Sequence, residues 1–352
     1  MDWRFDMLRW VFSLMVVALA LPAQTLLHID DGHGNSANEG WSLARLGDLT
    51  GDGITEVVVG STDPVLGPGR VRIINVATGA IVREHLGETF GSQFGYATDG
   101  GFDVDLDGVN DVLVGAPGFD IGTAFDNRGR AYLFSGATGA LIWSVTGAVP
   151  QENAGSAVAF VGDVNSDGRP DFAIGFQGAG SLAGRVEVRS GLNNGIICSI
   201  YGSLSGERLG TSVAYAGDLT GDGIPDLLVG APYHTVNSIA GRVYVLAMPT
   251  GTLVRTLDGT QAAEHAGWGL CSIADITGDG VRDVIVGSPD YDSTTLTDAG
   301  RARAFSGSNG AFLWSFTGPL IHMKAGIDVD GTSDLDGDGV PDVVVGVPYI
   351  PP

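Results

Sequence analysis

Cysteine is scarce in this 352-residue chain, with only Cys198 and Cys271 present. Both lie in apolar runs, which excludes a disulfide scaffold and predicts buried free thiols. Basic residues are also few, since 18 Lys and Arg face 41 Asp and Glu and give a formal net charge of −23. Nucleic acid and anionic membranes select for a basic patch, so neither is an expected partner. The charge instead indicates a solvated acidic surface or bound cations.

Long apolar runs are absent beyond the N-terminus. Residues 10–21 (WVFSLMVVALAL) are apolar but fall short of the about 20 residues that a bilayer-spanning helix needs. Small residues follow this run, so we interpret residues 1–23 as a signal peptide. Residues 24–352 are then the mature chain, which we predict to be secreted or displayed at the cell surface. An uncleaved anchor is the alternative, because Asp2 and Asp6 offset the charges of Arg4 and Arg9.

Helical periodicity is absent as well, whereas glycine is abundant at 56 residues. A nine-residue acidic motif recurs six times at intervals of roughly 55–60 residues, a length typical of a four-stranded propeller blade. A glycine precedes each motif by eight residues, and three apolar residues and a second glycine follow it. In the third unit, strands are expected at residues 156–162, 171–175, 184–190 and 195–202. The sequence therefore predicts an all-β propeller of four-stranded antiparallel blades.

The repeats predict about six blades, or seven if the chain is a truncated form of a longer one. The sixth unit stops after its second strand, and a further strand is predicted at residues 25–32. Either that strand closes the last blade or the blade is short, and an unpaired edge there could recruit a strand from another chain. Gly-Arg opens the predicted third strand in the other five units, which predicts a shared structural pairing of the arginine with a carboxylate. These arginines are Arg70, Arg130, Arg185, Arg242 and Arg301.

The acidic motif has the ligand pattern of a calcium-binding loop. Oxygen-bearing side chains occupy positions 1, 3 and 5, glycine at position 6 allows a sharp turn, position 7 offers its backbone carbonyl, and position 9 is acidic. An EF-hand is excluded because its glutamate at position 12 is replaced by valine or isoleucine in all six copies. Ordinary turn residues would explain one copy but not six. We therefore predict up to six Ca²⁺ ions, each joining the first strand of a blade to the second.

The predicted calcium ligands form six sets at positions 1, 3, 5, 7 and 9. They are Asp48, Thr50, Asp52, Ile54 and Glu56; Asp103, Asp105, Asp107, Val109 and Asp111; Asp163, Asn165, Asp167, Arg169 and Asp171; Asp218, Thr220, Asp222, Ile224 and Asp226; Asp275, Thr277, Asp279, Val281 and Asp283; and Asp334, Asp336, Asp338, Val340 and Asp342. The second and sixth sets each contain four carboxylates, whereas threonine is a weaker ligand and Glu56 has a longer arm. The loops hold 20 of the 41 acidic residues, so the acidity largely reflects cation sites.

These motifs resemble the FG-GAP repeats of integrin α-chain β-propellers and their bacterial, secreted relatives. Phe94-Gly95 corresponds to the FG part, and residues 115–117 and 230–232 (GAP) correspond to the second part. The resemblance covers roughly residues 24–352 and implies a propeller with calcium loops between the first and second strands of its blades. Two features depart from the family: integrin propellers have seven blades, and the aromatic residue before the first glycine is absent from the other five units.

The resemblance implies a non-catalytic binding or adhesion module for an extracellular protein or carbohydrate, with ligands on the face opposite the calcium loops. The longest connections between second and third strands place aromatic and imidazole groups among polar residues, a composition suited to such contacts. The candidate ligand residues are Phe119, Phe125, Tyr233, His234 and Tyr291. An extracellular hydrolase or lyase is the alternative, although G-x-S-x-G and H-E-x-x-H motifs are absent and no catalytic residue is predicted. A purely structural domain of a surface assembly is the third alternative.

Overall fold

A computed structural model of the chain describes residues 38–63, 67–122, 125–236 and 239–348. The described residues contain twenty-two strands, twenty of which form five four-stranded antiparallel sheets. In every sheet the four strands are paired in chain order, from first to fourth. The predicted strand at residues 25–32 and the predicted signal peptide lie outside the described residues. No helix of the described part is both long enough and apolar enough to cross a membrane.

Each sheet is one blade of a β-propeller. The first blade contains β1 (Glu39–Gly47), β2 (Glu56–Ser61), β3 (Arg70–Ile74) and β4 (Ile81–Leu86). The second contains β5 (Ala97–Phe102), β6 (Asp111–Ala116), β7 (Arg130–Phe134) and β8 (Leu141–Thr146). The third contains β9 (Ala154–Gly162), β10 (Asp171–Phe176), β11 (Arg185–Arg189) and β12 (Ile196–Tyr201). The fourth contains β13 (Ser212–Gly217), β14 (Asp226–Val236), β15 (Ile239–Ala247) and β16 (Thr252–Asp258). The fifth contains β17 (Leu270–Ile273), β18 (Asp283–Ser288), β19 (Arg301–Phe305) and β20 (Phe312–Thr317).

The prediction of about six blades is wrong for the described chain, which forms five complete blades and a two-stranded sheet. That sheet pairs β21 (Val329–Gly331) with β22 (Val343–Val345), the first and second strands of the sixth unit. The physical reason is that each blade needs a third strand beginning at Gly-Arg, and no such strand follows β22 among the described residues. The four strands predicted for the third unit are confirmed by β9 to β12.

The hydrophobic core lies between neighbouring blades, because each sheet is apolar on both faces. Leu113 and Leu133 of the second blade pack with Phe160 and Phe172 of the third, and all four are buried. The first strands of successive blades also contact one another, from β1 through β5, β9, β13 and β17 to β21. The first strands therefore surround a common axis, and the two ends of these strands define two faces of the propeller.

The two recurrent glycines of each repeat allow neighbouring blades to approach closely. Gly175 lies in the second strand of its blade, and a Cβ atom added there would lie 2.1 Å from the carbonyl oxygen of Gly210. Gly210, whose φ is +84°, begins the next blade, and its N–H donates to the carbonyl of Gly230 at 2.9 Å. Only glycine permits this backbone contact without displacement, so the glycine spacing of the sequence reflects blade packing.

We expect Gly175→Ala to destabilise the propeller by about 2–3 kcal/mol, the upper end of the usual cost of overpacking a core. The atom that its Cβ would strike belongs to rigid backbone, so blades three and four would have to separate. Gly195→Ala is the matched control, because its nearest neighbour is the side-chain oxygen of exposed Asn193. Urea denaturation of both variants checks the prediction, and equal midpoints would contradict it.

Two further features complete the fold. The one helix of the described residues, α1 (Ala179–Leu182), is a four-residue turn with left-handed φ at Gly180 and Ser181, so it supplies no helical surface.

Cys198 and Cys271 are free, as the sequence predicts. Cys271 is buried and Cys198 is half-buried, and burial raises the pKa of the Cys198 thiol to about 11. Neither thiol therefore has the lowered pKa that a nucleophilic cysteine needs.

Candidate metal centres

Each acidic loop is folded around the aspartate at its first position. In the first loop the carboxylate of Asp48 accepts hydrogen bonds from the N–H groups of Asp52 at 3.1 Å and Gly53 at 2.7 Å. The corresponding N–H groups at positions 5 and 6 bond the first aspartate in the other five loops. The glycine at position 6 has a positive φ throughout, for example +85° at Gly53 and +93° at Gly108. The predicted sharp turn at position 6 is thus confirmed.

In the fifth and sixth loops, backbone hydrogen bonds favour the charged form of the position-1 carboxylate. Bonds from the backbone, that of Gly280 first, lower the pKa of Asp275, and the bond from Gly339 does the same for Asp334. The aspartate at position 5 accepts an N–H from position 7, at 2.8 Å between Asp52 and Ile54. These bonds leave the charged oxygens of positions 1 and 5 on one short, exposed loop, where an added cation would offset their mutual repulsion.

The acid at position 9 anchors the loop to the blade. Asp111 is fully buried, and one of its oxygens accepts the N–H of Val104 at 2.7 Å while the other accepts the N–H of Gly136 at 2.9 Å. Asp171 makes the same two bonds, to Val164 and Gly191. Burial raises the pKa of Asp111 to about 6 and that of Asp171 to about 7. In the second and third loops, burial therefore favours the protonated form of the position-9 carboxyl group when no cation is bound.

Three loops bring three carboxylates to within 4.8 Å of one another, the spacing that a shared cation requires. The groups are Asp48, Asp52 and Glu56; Asp103, Asp105 and Asp111; and Asp334, Asp336 and Asp342. The longer arm of Glu56 does not remove the first loop from this set, because its carboxylate turns back to accept the hydroxyl of Thr50 at 2.9 Å. The other three loops carry Asn165, Thr220 or Thr277 at position 3. All three acidic groups offer the hard oxygen ligands that calcium prefers.

The turn after the third strand supplies a set of loop partners that the sequence interpretation missed. In the first blade, the side-chain amide of Asn75 donates to Asp52 at 2.6 Å and to Glu56 at 3.0 Å. In the second and third blades a serine takes this place and bonds the position-5 aspartate, as Ser135 does to Asp107 at 3.3 Å and Ser190 to Asp167 at 2.7 Å. In the fifth blade Ser308, two residues further along the turn, bonds Asp279 at 2.6 Å. The recurrent Ser-Gly pair at the end of the third strand is the sequence pattern from which this contact could have been predicted.

The fourth loop lacks one of these stabilising contacts. Asp226 is fully buried, and its Oδ1 atom has no hydrogen-bond partner among the described residues. The second, third and fifth blades supply a glycine N–H to the equivalent oxygen, and the fourth blade has Met248 at the same position. An unpaired buried carboxylate oxygen costs about 1–3 kcal/mol or more when charged. A cation bound at the fourth loop would remove that cost, so this loop also fits a metal site.

We expect calcium removal to reverse the pH dependence of stability. Without cations, the raised pKa values of Asp111 and Asp171, against 3.8 for ordinary Asp, mean that the folded state binds more protons than the unfolded state. Their contribution is complete below about pH 4 and is lost as the pH rises through 6 and 7. With saturating calcium, protons compete with the cation and the sign reverses. Melting curves at pH 5 and pH 8, with and without calcium, check this, and the same slope in both conditions would contradict it.

The comparison with known proteins agrees with this geometry. The FG-GAP repeat family matches four stretches of the chain, at residues 94–134, 154–188, 209–246 and 266–305. Each stretch begins at or just before the glycine that opens a blade, includes the acidic loop and ends within the third strand. The chain is an integrin-alpha-like FG-GAP β-propeller.

Integrin alpha chains are among the relatives of this FG-GAP propeller. Integrin alpha-8 of Mus musculus is 35% identical over 208 residues, which cover 54% of this chain and 19% of that protein. Integrin alpha-PS2 of Drosophila melanogaster is 33% identical over 214 residues, covering 53% and 14%. Integrin alpha-V of Gallus gallus is 25% identical over 273 residues, covering 70% and 26%. The chain thus spans about a fifth of the length of these relatives, and a bacterial, secreted type stays a prediction.

The face opposite the acidic loops carries a repeated ion pair between the third-strand arginine and a carboxylate. Arg185 contacts Glu152 at 3.3 Å and Arg301 contacts Glu264 at 2.8 Å. The same arginine of the other blades pairs with Glu39, Glu88 or Asp258. The predicted pairing of the Gly-Arg arginines is confirmed. The arginine recurs at the start of the third strand, whereas its carboxylate partner comes from different positions in different blades. These pairs brace the connections of the FG-GAP propeller.

The five candidate ligand residues of this face occupy different environments. Phe119 is buried beneath Arg130, whose guanidinium lies 3.8 Å from the ring centroid, and His234 is buried against the carboxylate of Glu207. Tyr291 lies under Arg301 at 3.8 Å. Phe125 is 82% exposed, and half-buried Tyr233 belongs to an aromatic cluster. A ligand role stays a prediction for all five, of which Phe125 is exposed and Tyr233 and Tyr291 are half-buried.

Proposed function

We propose that this FG-GAP propeller is a non-catalytic, calcium-stabilised module that binds an extracellular protein. The cluster of Asp103, Asp105 and Asp111 carries the proposal, because its carboxylates converge within 4.8 Å and like charges so close need a cation. Calcium fits better than zinc or copper, because the loop ligands are oxygens and include no histidine or cysteine. The similarity to integrin alpha chains supports an adhesion role and an extracellular or cell-surface location.

In this proposal the acidic loops and the opposite face have different roles. The loops act structurally, because each cation joins the first strand to the second and to the turn after the third. Partner binding belongs to the opposite face, where half-buried aromatic rings lie among charged groups. This division assigns most of the clustered carboxylates to metal binding, and none of them to acid–base catalysis.

A calorimetric titration of the mature chain with CaCl₂ tests the structural half of the proposal. We expect several ions to bind and Asp105→Asn to remove one of them or to weaken one site at least tenfold. Glu88→Gln is the control, because it removes the same charge from an exposed ion pair outside the loops. A chain that binds no calcium, or an Asp105→Asn variant with unchanged stoichiometry and affinity, would overturn the assignment.

A further inference from the structure

A cluster of exposed and half-buried hydrogen-bond donors lies where the first strands begin, on the face opposite the acidic loops. We call it the aromatic mouth and define it by Trp41, Tyr96, Arg208, Tyr233, His265 and Trp268. Tyr233 contacts both His265 and Trp268, with ring centroids 4.6 and 6.1 Å apart, and Trp41 contacts Tyr96 at 5.5 Å. Because Trp41, Tyr96 and Trp268 each follow the glycine that opens a blade, the mouth surrounds the axis of the propeller.

Arg208 is the unusual member of this cluster. Its guanidinium lies 4.6 Å from the ring centroid of Tyr233, near enough to Tyr96 to lower the pKa that burial otherwise raises there. Among the described residues it forms neither an ion pair nor a side-chain hydrogen bond. Stacking on a tyrosine ring gives a partly exposed guanidinium only a weak attraction. In a chain with a net charge of −23, an arginine without a carboxylate partner at the centre of a face needs another explanation.

The other cations of this face are all neutralised within the chain. The third-strand arginines each contact a carboxylate, and Lys324 contacts both Asp290 and Asp298. The carboxylate of Asp290 accepts a hydrogen bond from Nδ1 of His265 at 2.5 Å. Arg208 is therefore the one basic side chain of the mouth, among the described residues, whose charge is left for a partner.

The backbone position of Arg208 supports the same interpretation. The residue two places before each blade-opening glycine has a positive φ, from +41° at Asn38 to +56° at Gln93. Asn38 and Asn153 suit this conformation, because asparagine tolerates left-handed φ well. Arg208, at +54°, gains no hydrogen bond from its side chain in return for a less favoured conformation. Local folding therefore does not account for arginine here.

The neighbouring groups also lack acceptors. The hydroxyls of Tyr96 and Tyr233 and the indole N–H of Trp268 make no hydrogen bond to any described residue. The indole N–H and the guanidinium can only donate, and the hydroxyls can donate as well. A half-buried array of donors around one unpaired positive charge is complementary to a single anionic acceptor, and a carboxylate matches the guanidinium in a bidentate arrangement.

We propose that the aromatic mouth binds an aspartate or glutamate side chain of an extracellular protein, with Arg208 as its ion-pair partner. The proposal rests on the proposed function, and it adds the chemistry of the partner. An acidic polysaccharide repeats its charges along the chain and would need a row of free cations, whereas the described mouth offers one. A protein segment that presents one acidic side chain between apolar neighbours fits both the charge and the rings.

Selection of a displayed library of linear twelve-residue peptides against the full mature chain in saturating calcium tests the proposal. We expect selected peptides to share one acidic position and to lose at least tenfold in affinity when that residue becomes its amide. Arg208→Gln should produce a similar loss, and Arg208→Lys should recover part of it. The acid-to-amide peptide should lose no further affinity on Arg208→Gln, because both changes remove the same ion pair. Arg242→Gln, on the same face but paired with Asp258, should change affinity less than twofold.

Other results would overturn the proposal. The first is that the selected peptides require no acidic residue. The second is that they bind the Arg208→Gln variant as tightly as the parent chain. The third is that no peptide is selected while an oligogalacturonate binds in a way that depends on Arg208. Calcium stoichiometry and Tm are measured for every variant. If both are unchanged while peptide binding ignores Arg208, the partner assignment fails and the calcium-stabilised module stands. If the chain binds no calcium, the failure lies in the proposed function itself.

Discussion

Removal of calcium should lower the Tm of this propeller by roughly 15 °C. A ligand at a hundredfold excess over its Kd stabilises the folded state by about 2.7 kcal/mol per site. Several sites together thus contribute on the order of 10 kcal/mol. Because the unfolding entropy grows with chain length, each kcal/mol shifts the Tm of a chain this large by about 1.5 °C. The four carboxylates of the second loop would repel one another once their cation is lost. Differential scanning calorimetry in calcium and in EGTA measures the effect.

Magnesium is the control for this experiment. Mg²⁺ demands a smaller, octahedral shell and keeps several waters, so an equal concentration should restore only part of the lost stability. The loop variant Asp105→Asn should reduce the difference between the calcium and EGTA melting temperatures. Identical melting curves in calcium and in EGTA would mean that the acidic loops are turn residues, and the metal assignment would have to be withdrawn.

Replacing Glu264 by alanine should destabilise the folded chain by about 3–5 kcal/mol, the usual cost of removing one partner of a buried ion pair. Glu264 is fully buried and contacts Arg301 at 2.8 Å and Arg303 at 3.5 Å. Burial, with the charge of Arg301, already lowers the pKa of Arg303 to about 10. Without Glu264, two nearly buried guanidinium groups would face each other. The alanine would also leave the N–H of Thr260 without its acceptor.

Glu88→Ala is the matched comparison in the second blade. Glu88 pairs with the equivalent arginine, Arg130, at 2.9 Å, but half of its side chain is exposed. Water replaces an exposed partner, so we expect a loss of less than about 1 kcal/mol. Chemical denaturation of both variants in calcium separates the two cases. Equal effects would show that burial does not decide the strength of these pairs.

The repeat and its loops could be predicted from the sequence because both depend on local chemistry. The carboxylate at position 1 is bonded by N–H groups three to five residues later, so local spacing specifies the loop around Asp48 or Asp334. The recurrent glycines could also be located from their spacing, but spacing does not show why glycine is required there. The contact of Gly175 with Gly210 joins residues of two blades, and only the packed structure shows how closely they approach.

The burial of the candidate ligand residues could not be predicted from the sequence. Phe119 and His234 lie in connections of mixed composition, and nothing in such a stretch distinguishes a ring that faces solvent from one that faces the blade. Arg130 covers Phe119, and the carboxylate of Glu207 holds His234, so both are buried. Nothing in the sequence distinguishes Arg208 either. It is unusual because no carboxylate among the described residues pairs with it, and only the three-dimensional structure shows which residues are its neighbours.

The sequence by itself determined the repeat, the four-stranded unit, the third-strand arginines and the calcium-type ligand pattern, because each follows from spacing within one unit. Only the tertiary structure decided the number of complete blades, the burial of each candidate side chain and the position of the aromatic mouth. These properties depend on contacts between units, such as the bonds from Arg83 of the first blade to the turn after the third strand of the second. Residues more than fifty positions apart meet there, and no local pattern in the chain records which of them will do so.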